Sequence, residues 1–114
     1  MDFIRPALVI AVLAITPARA DPPVIEGVAV RGAQISVTLS HGDTGWDHYA
    51  DGWQVIGVDD VLLGTRVLHH PHVEEQPFTR SLTLAEPPNG PFVWIIAKDN
   101  LGAESEPFKV MLPD

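Results

Sequence analysis

The chain has 114 residues, 15 acidic and 7 basic side chains, a net charge of −8 with histidine neutral, and no cysteine. That length bounds it to one small domain, large enough to bury a core without covalent staples. The lack of thiols excludes disulfides, thiolate metal sites and cysteine catalysis, and the acidic balance speaks against nucleic acid or an anionic membrane as partner.

Residues 1–20 have the pattern of a secretory signal peptide. Arg5 supplies a short positive region, an apolar run follows from Ala7 to Ile15, Pro17 breaks it, and Ala18-Arg19-Ala20 fits the small-x-small cleavage rule. The run is well short of the ~20 residues that span a bilayer. Cleavage before Asp21 is expected, with export to the periplasm or the outside. No cysteine stands near the cleavage site to take a lipid, and no membrane insertion of the mature domain is expected.

Beyond residue 20 the apolar pattern has period two, in short runs broken by turn residues. Strands are expected at Val24–Val30, Ala33–Leu39, Gly52–Val58, Val61–Leu68, Phe78–Leu84, Phe92–Ala97 and Pro107–Leu112. In the second, Ile35, Val37 and Leu39 share one face and Gln34, Ser36 and Thr38 the other, so one side is buried and one wet. Gly64, inside the fourth, signals a bulge or a close backbone approach. Arg80 shares the inward parity of Phe78, Leu82 and Leu84 and is the exception in the fifth. The sixth is apolar on both faces and therefore central. Asp99-Asn100-Leu101-Gly102 reads as a turn. Seven such strands give an all-β, seven-stranded antiparallel sandwich occupying residues 21–114.

Two resemblances accompany this pattern. Phe92-Val93-Trp94-Ile95-Ile96-Ala97-Lys98-Asp99-Asn100-Leu101-Gly102-Ala103-Glu104-Ser105-Glu106-Pro107 resembles the sixth strand, the glycine turn and the Ser-x-Pro entry to the seventh strand of fibronectin type III and related immunoglobulin-like modules. The resemblance implies that fold and no particular activity. It departs at strand two, which lacks the usual core tryptophan, a space left to Trp53 or Trp94. Gly45-Trp46-Asp47-His48-Tyr49-Ala50-Asp51-Gly52-Trp53, with Leu63-Gly64-Thr65-Arg66-Val67-Leu68 and His70-Pro71-His72-Val73-Glu74-Glu75-Gln76-Pro77-Phe78-Thr79-Arg80-Ser81, is similar to a family of small exported bacterial proteins of no assigned activity. It implies a periplasmic setting.

All five histidines lie between residues 41 and 72. His70 and His72, spaced i, i+2, leave one face of an extended segment, as two imidazoles on one metal require; polyproline geometry around Pro71 would instead pair His69 with His72. His48, His41, Asp47, Asp51, Glu74 or Glu75 can supply a third ligand. Imidazole with carboxylate, and no thiol, suits copper(II), zinc or nickel rather than copper(I), with copper or zinc the expected metal. The expected function is thus divalent transition-metal binding through His69, His70, His72 and His48, with Gln76 and Thr79 as candidates to orient the imidazoles. The bland reading of the same residues is a set of exposed loop histidines.

Trp46 and Tyr49, edged by Asp47, together with Glu74 of the histidine segment, are the alternative candidates for a surface that takes a periplasmic protein partner or a carbohydrate. Trp53 alternates with Val55 and reads as core. No nucleophile elbow or phosphate loop is present and so small a sandwich leaves little room for a pocket, so a non-enzymatic protein is expected.

Overall fold

The structure is a computed structural model that describes residues 21–113. The expected signal peptide lies outside the described residues. Seven antiparallel strands form two sheets: β1 (Val24–Arg31), β2 (Gln34–Ser40), β3 (Ala50–Ile56), β4 (Leu62–Val67), β5 (Phe78–Thr83), β6 (Phe92–Asp99) and β7 (Phe108–Met111). One sheet has the order β1-β2-β5 and the other β4-β3-β6-β7. The all-β sandwich expected from the period-two pattern is therefore the fold, and β6 is internal to its sheet, as its two apolar faces require.

The core is the meeting of the inward faces. Ile35, Val37 and Leu39 of β2 pack toward Trp53 and Val55 of β3 and Val93, Ile95 and Ala97 of β6, all essentially inaccessible. Trp53 is the tryptophan of the interior; Trp94 is on the outer face of β6 and half-buried. The outer face of β2 is wet, and its hydroxyls pair with those of β5: Ser36 with Ser81 and Thr38 with Thr79, each at 2.7 Å. Such cross-strand pairs pin the register that keeps the aliphatic set inside.

Three boundaries differ from expectation in ways that place the functional residues. β3 begins at Ala50 and ends at Ile56, because Ala50 pairs with Asp99 at one end and the Gly57 N–H to Val61 carbonyl bond closes the turn at the other. β6 runs on to Asp99 instead of ending at Ala97. Asp99 is thus the last inward residue of a strand, not the first of a turn. The other ends of these strands, with the 57–61 turn and the 84–91 loop, lie at the far end of the sandwich.

Gly64 fulfils both readings of an interior strand glycine. The β3–β4 register shifts between Val55 and Ile56, so Leu63 is an extra residue on β4. A Cβ on Gly64 would come within 2.7 Å of Leu84 Cδ2 and 2.9 Å of Leu82 Cδ2, across the gap between the sheets. Those leucine tips must move to admit a methyl group. Gly64→Ala should therefore lower the stability to urea by about 1–3 kcal/mol, and an unchanged midpoint would show that the two sheets do not close over β4 in this way.

Candidate metal centre

Two strands deliver their final residues to one end of the sandwich. The inward parity of Ile35, Val37 and Leu39 continues to His41, just past β2, and that of Val93, Ile95 and Ala97 continues to Asp99. His48 arrives from the β2–β3 connection. There Thr44 N–H donates to the His48 carbonyl at 3.0 Å and His48 N–H to the Gly45 carbonyl at 3.2 Å. Gly45 sits at φ 141°, a conformation that side-chain-bearing residues rarely adopt. Asn100 holds this connection against the β6–β7 turn. It accepts from Tyr49 N–H at 2.9 Å and donates to the carbonyls of Trp46 and Asp47 at 3.3 and 3.2 Å.

His41, His48 and Asp99 converge, each offering one ligand atom, with all three atoms within 4.8 Å of one another. Asp99 Oδ2 is 2.8 Å from His48 Nε2 and 3.2 Å from His41 Nε2. The side chains of His41 and Asp99 are fully buried, and that of His48 is 11% exposed, so His48 is the side from which solvent reaches the group. The other ring nitrogen of His41, Nδ1, bonds Asp43 Oδ1. Asp99 Oδ1 accepts from the N–H groups of Leu101 at 3.0 Å and Ala103 at 2.9 Å. Burial alone would raise the Asp99 carboxyl, but the bonds from His48, Ala103, Leu101 and His41 outweigh it and hold the group below its usual 3.8. Asp99 is therefore a fixed anion.

The arrangement has an electrostatic requirement. A proton on His41 Nδ1, shared with Asp43, leaves a lone pair on Nε2, aimed at a carboxylate oxygen. Two such atoms repel unless a cation sits between them, and inside a protein that repulsion is poorly screened. A second proton on His41 or a metal ion meets the need. Two imidazoles and a carboxylate, with a carboxylate behind one imidazole and backbone donors behind the other carboxylate oxygen, can hold a metal ion.

The structure places the other expected residues around this group. Of the four expected histidine ligands, His48 is in the group. His69 and His70 are exposed on the β4–β5 segment, and His70 Nδ1 is 3.2 Å from the Pro71 carbonyl. His72 is buried, stacked on Phe78 at 3.9 Å, and its Nε2 accepts from Arg80 Nη2 at 3.0 Å. That bond leaves its proton on Nδ1, which is buried without a partner. It also explains the inward parity of Arg80, which spans from His72 to Glu75 at 3.3 Å. Asp43 links the two segments, its Oδ2 accepting from His72 N–H at 2.7 Å. Gln76 ties them a second time, accepting from His41 N–H at 2.9 Å and donating to the His72 carbonyl at 2.9 Å. Glu74 is exposed. Trp46 is 66% exposed and meets Tyr49 edge-on at 5.5 Å, with exposed Asp47 beside them. Asp51 pairs with Lys98 at 2.7 Å.

Asp99 escaped the sequence reading because Asp-Asn-Leu-Gly is strong turn chemistry. The inward parity of 93, 95 and 97 was the signal that could have found it. His41 continues the parity of β2, a signal that singles it out among the candidate third ligands.

No known family's sequence profile matches the chain. A stretch of 63 residues, 55% of this chain, is 44% identical to a protein described as "Putative lipoprotein" from Halomicrobium mukohataei; the match spans 31% of that protein. Among solved structures, a superoxide reductase (neelaredoxin) from Ignicoccus hospitalis superposes with a TM-score of 0.47 and 19% identity, over 87% of this chain and 84% of that one. This corrects the expectation of a non-enzymatic protein: the superposed chain is an enzyme, so the small sandwich is no ground for excluding catalysis. At that similarity it assigns no activity here.

Two pH effects follow from the geometry. The Asp99 carboxyl titrates below its unfolded value, so its contribution is complete above 3.8 and is lost as pH falls through the lower folded value. Asp99→Asn should cost about 3–5 kcal/mol near neutrality, a deficit that shrinks in urea titrations as the pH falls below 3.8; a deficit independent of pH would contradict the anionic assignment. Burial, then Arg80 and His70, push His72 below its usual 6.5 against the pull of Glu75 and Asp43. The unfolded chain then takes that proton first, and stability falls as pH drops below 6.5. In His72→Gln this part of the slope should disappear, and an identical slope in both proteins would show that His72 charges freely in the fold.

Proposed function

We propose that the protein binds one divalent transition-metal ion, copper(II) or zinc, through His41 Nε2, His48 Nε2 and Asp99 Oδ2. The observation that carries this reading is the His41 ring held between two carboxylates, with Asp43 fixing the Nδ1 proton and leaving Nε2 toward Asp99. A metal ion there would satisfy both imidazoles and the shared carboxylate oxygen at once. Asp43 would act behind His41, setting its tautomer and raising its basicity. Three protein ligands would leave a further position for water or another small ligand. Absence of sulfur donors favours copper(II) or zinc over copper(I).

The cellular setting in this reading is outside the cytoplasm, periplasmic or secreted. The signal-peptide pattern of residues 1–20 supports it, and so does the description of the Halomicrobium relative as a "Putative lipoprotein". In the same reading residues 21–114 are the mature domain, with the fibronectin-III or immunoglobulin-like arrangement suggested by its last third.

Isothermal titration and thermal melts with Zn²⁺ and Cu²⁺ test the reading. One-to-one saturable binding is expected, lost in His41→Ala/His48→Ala and retained in His69→Ala/His70→Ala. A ligand that binds only the folded state at about 100 times its Kd stabilises it by about 2.7 kcal/mol, so the melt should rise with metal and return with chelator. Equal heats in the wild type and His41→Ala/His48→Ala would sink the proposal and leave a protonated His41 as the cation. Loss of binding only in the His69/His70 variant would move the site to the β4–β5 segment.

A further inference from the structure

The two outward faces of the sandwich differ in kind. The β1-β2-β5 sheet shows water a row of paired hydroxyls. The β4-β3-β6-β7 sheet shows Leu62, Ile56, Phe92, Trp94, Ile96 and Met111, of which Leu62 is 53% and Met111 65% exposed. The register aligns Leu62 of β4 with Ile56 of β3, Ile56 with Trp94 of β6, and Trp94 with Lys109 of β7, one row across all four strands. Ile56, Asp60, Trp94, Ile96 and Pro107 line a shallow trough of about 450 Å³ along it. An apolar row of this width on a free sheet face marks an interaction surface.

Charge identifies what fits it. The protein is strongly acidic, yet both of its lysines lie on this face, Lys98 paired with Asp51 at 2.7 Å and Lys109 beside the apolar row. The arginines of β4 and β5 do not add to another positive surface: Arg66 lies opposite inward Trp53, and Arg80 is engaged with His72. Arg31, opposite Gln34, stands at the end of β1 on the hydroxyl-bearing sheet, so Lys109 is the cation that the apolar row itself offers to a partner. The ends of the row are also of opposite sign. Asp60 stands in the turn that leads into β4, and Lys109 lies on β7 at the other edge, its ammonium 4.4 Å from the centre of the Phe92 ring and 5.7 Å from that of Trp94. A two-fold axis in the contact plane and parallel to the strands would lay the β4 edge of one copy over the β7 edge of the other. Asp60 of each copy would then face Lys109 of the partner subunit, with the apolar rows packed between. The face is self-complementary in the manner an isologous dimer requires.

We propose that this face is occupied by a second copy of the chain, giving a symmetric dimer whose two metal centres lie away from the contact. The site residues sit at the ends of β2 and β6, whereas the row crosses the opposite half of the sheet, so dimerisation and metal binding are separable.

Sedimentation velocity of the purified protein over a wide concentration range, in chelator to prevent metal bridging, tests this. The wild type is expected to pass from monomer to dimer. Leu62→Glu and Lys109→Glu, both at exposed positions, are each expected to weaken the dimer at least about tenfold, or 1.4 kcal/mol. Asp60→Lys combined with Lys109→Glu should recover part of the loss suffered by Lys109→Glu alone. Near-wild-type melts would show that the variants fold. A wild-type monomer at every concentration overturns the proposal and leaves the face to a different protein. A dimer that survives Leu62→Glu or Lys109→Glu overturns it as well, since the contact would then lie elsewhere.

Discussion

The carboxylate of Asp99, at the inward end of β6, is the point on which the functional end of this protein turns. It is fully buried, and one of its oxygens faces two imidazoles while the other takes two backbone N–H groups. An ionised carboxylate in that position is stable only while every one of those partners is present, because water cannot replace them. The group therefore fixes the end of β6, the β6–β7 turn and the entry into β3 together. It also requires a cation beside His41, whose other ring nitrogen already faces Asp43, whether that cation is a second proton or a metal ion.

The same logic extends outward through Asp43. That residue is buried beside His41, and its two oxygens serve three partners on three parts of the chain: the His41 ring, Ala50 N–H and His72 N–H. The histidine-rich β4–β5 segment is thereby attached to the centre although His69 and His70 do not enter it. Gln76 repeats the connection through the backbone of His41 and His72. Arg80 completes the layer from β5, satisfying His72 on one side and Glu75 on the other. A sheet supplies the rigid ends and loops supply the convergence, so the centre is positioned by strands yet reachable from solvent at His48.

The two sheets then divide the remaining work. The hydroxyl-bearing face of β2 and β5 is suited to water, and the apolar face built on β3 and β6 is suited to contact. Both are consequences of period-two patterning, differing only in which residue type was placed at the outward positions. The asymmetry separates a wet side, a contact side and a chemical end within one small domain.

By itself the sequence determined the class of fold, the number and order of strands, the buried identities of Ile35, Val37, Leu39 and Trp53, and the special role of Gly64. These follow from local alternation and from steric limits that act residue by residue. It also concentrated attention on the span that holds every histidine. It left open which of those histidines meet, because convergence depends on where strand ends fall and how loops fold back, over separations as large as the 58 residues between His41 and Asp99. Parity along β2 and β6 carried part of that information, but the turn chemistry of Asp99-Asn100-Leu101-Gly102 masked it. Only the tertiary structure could decide that Asp99 belongs to the strand, since its pairing with Ala50 and its burial against His41 and His48 come from a distant part of the chain.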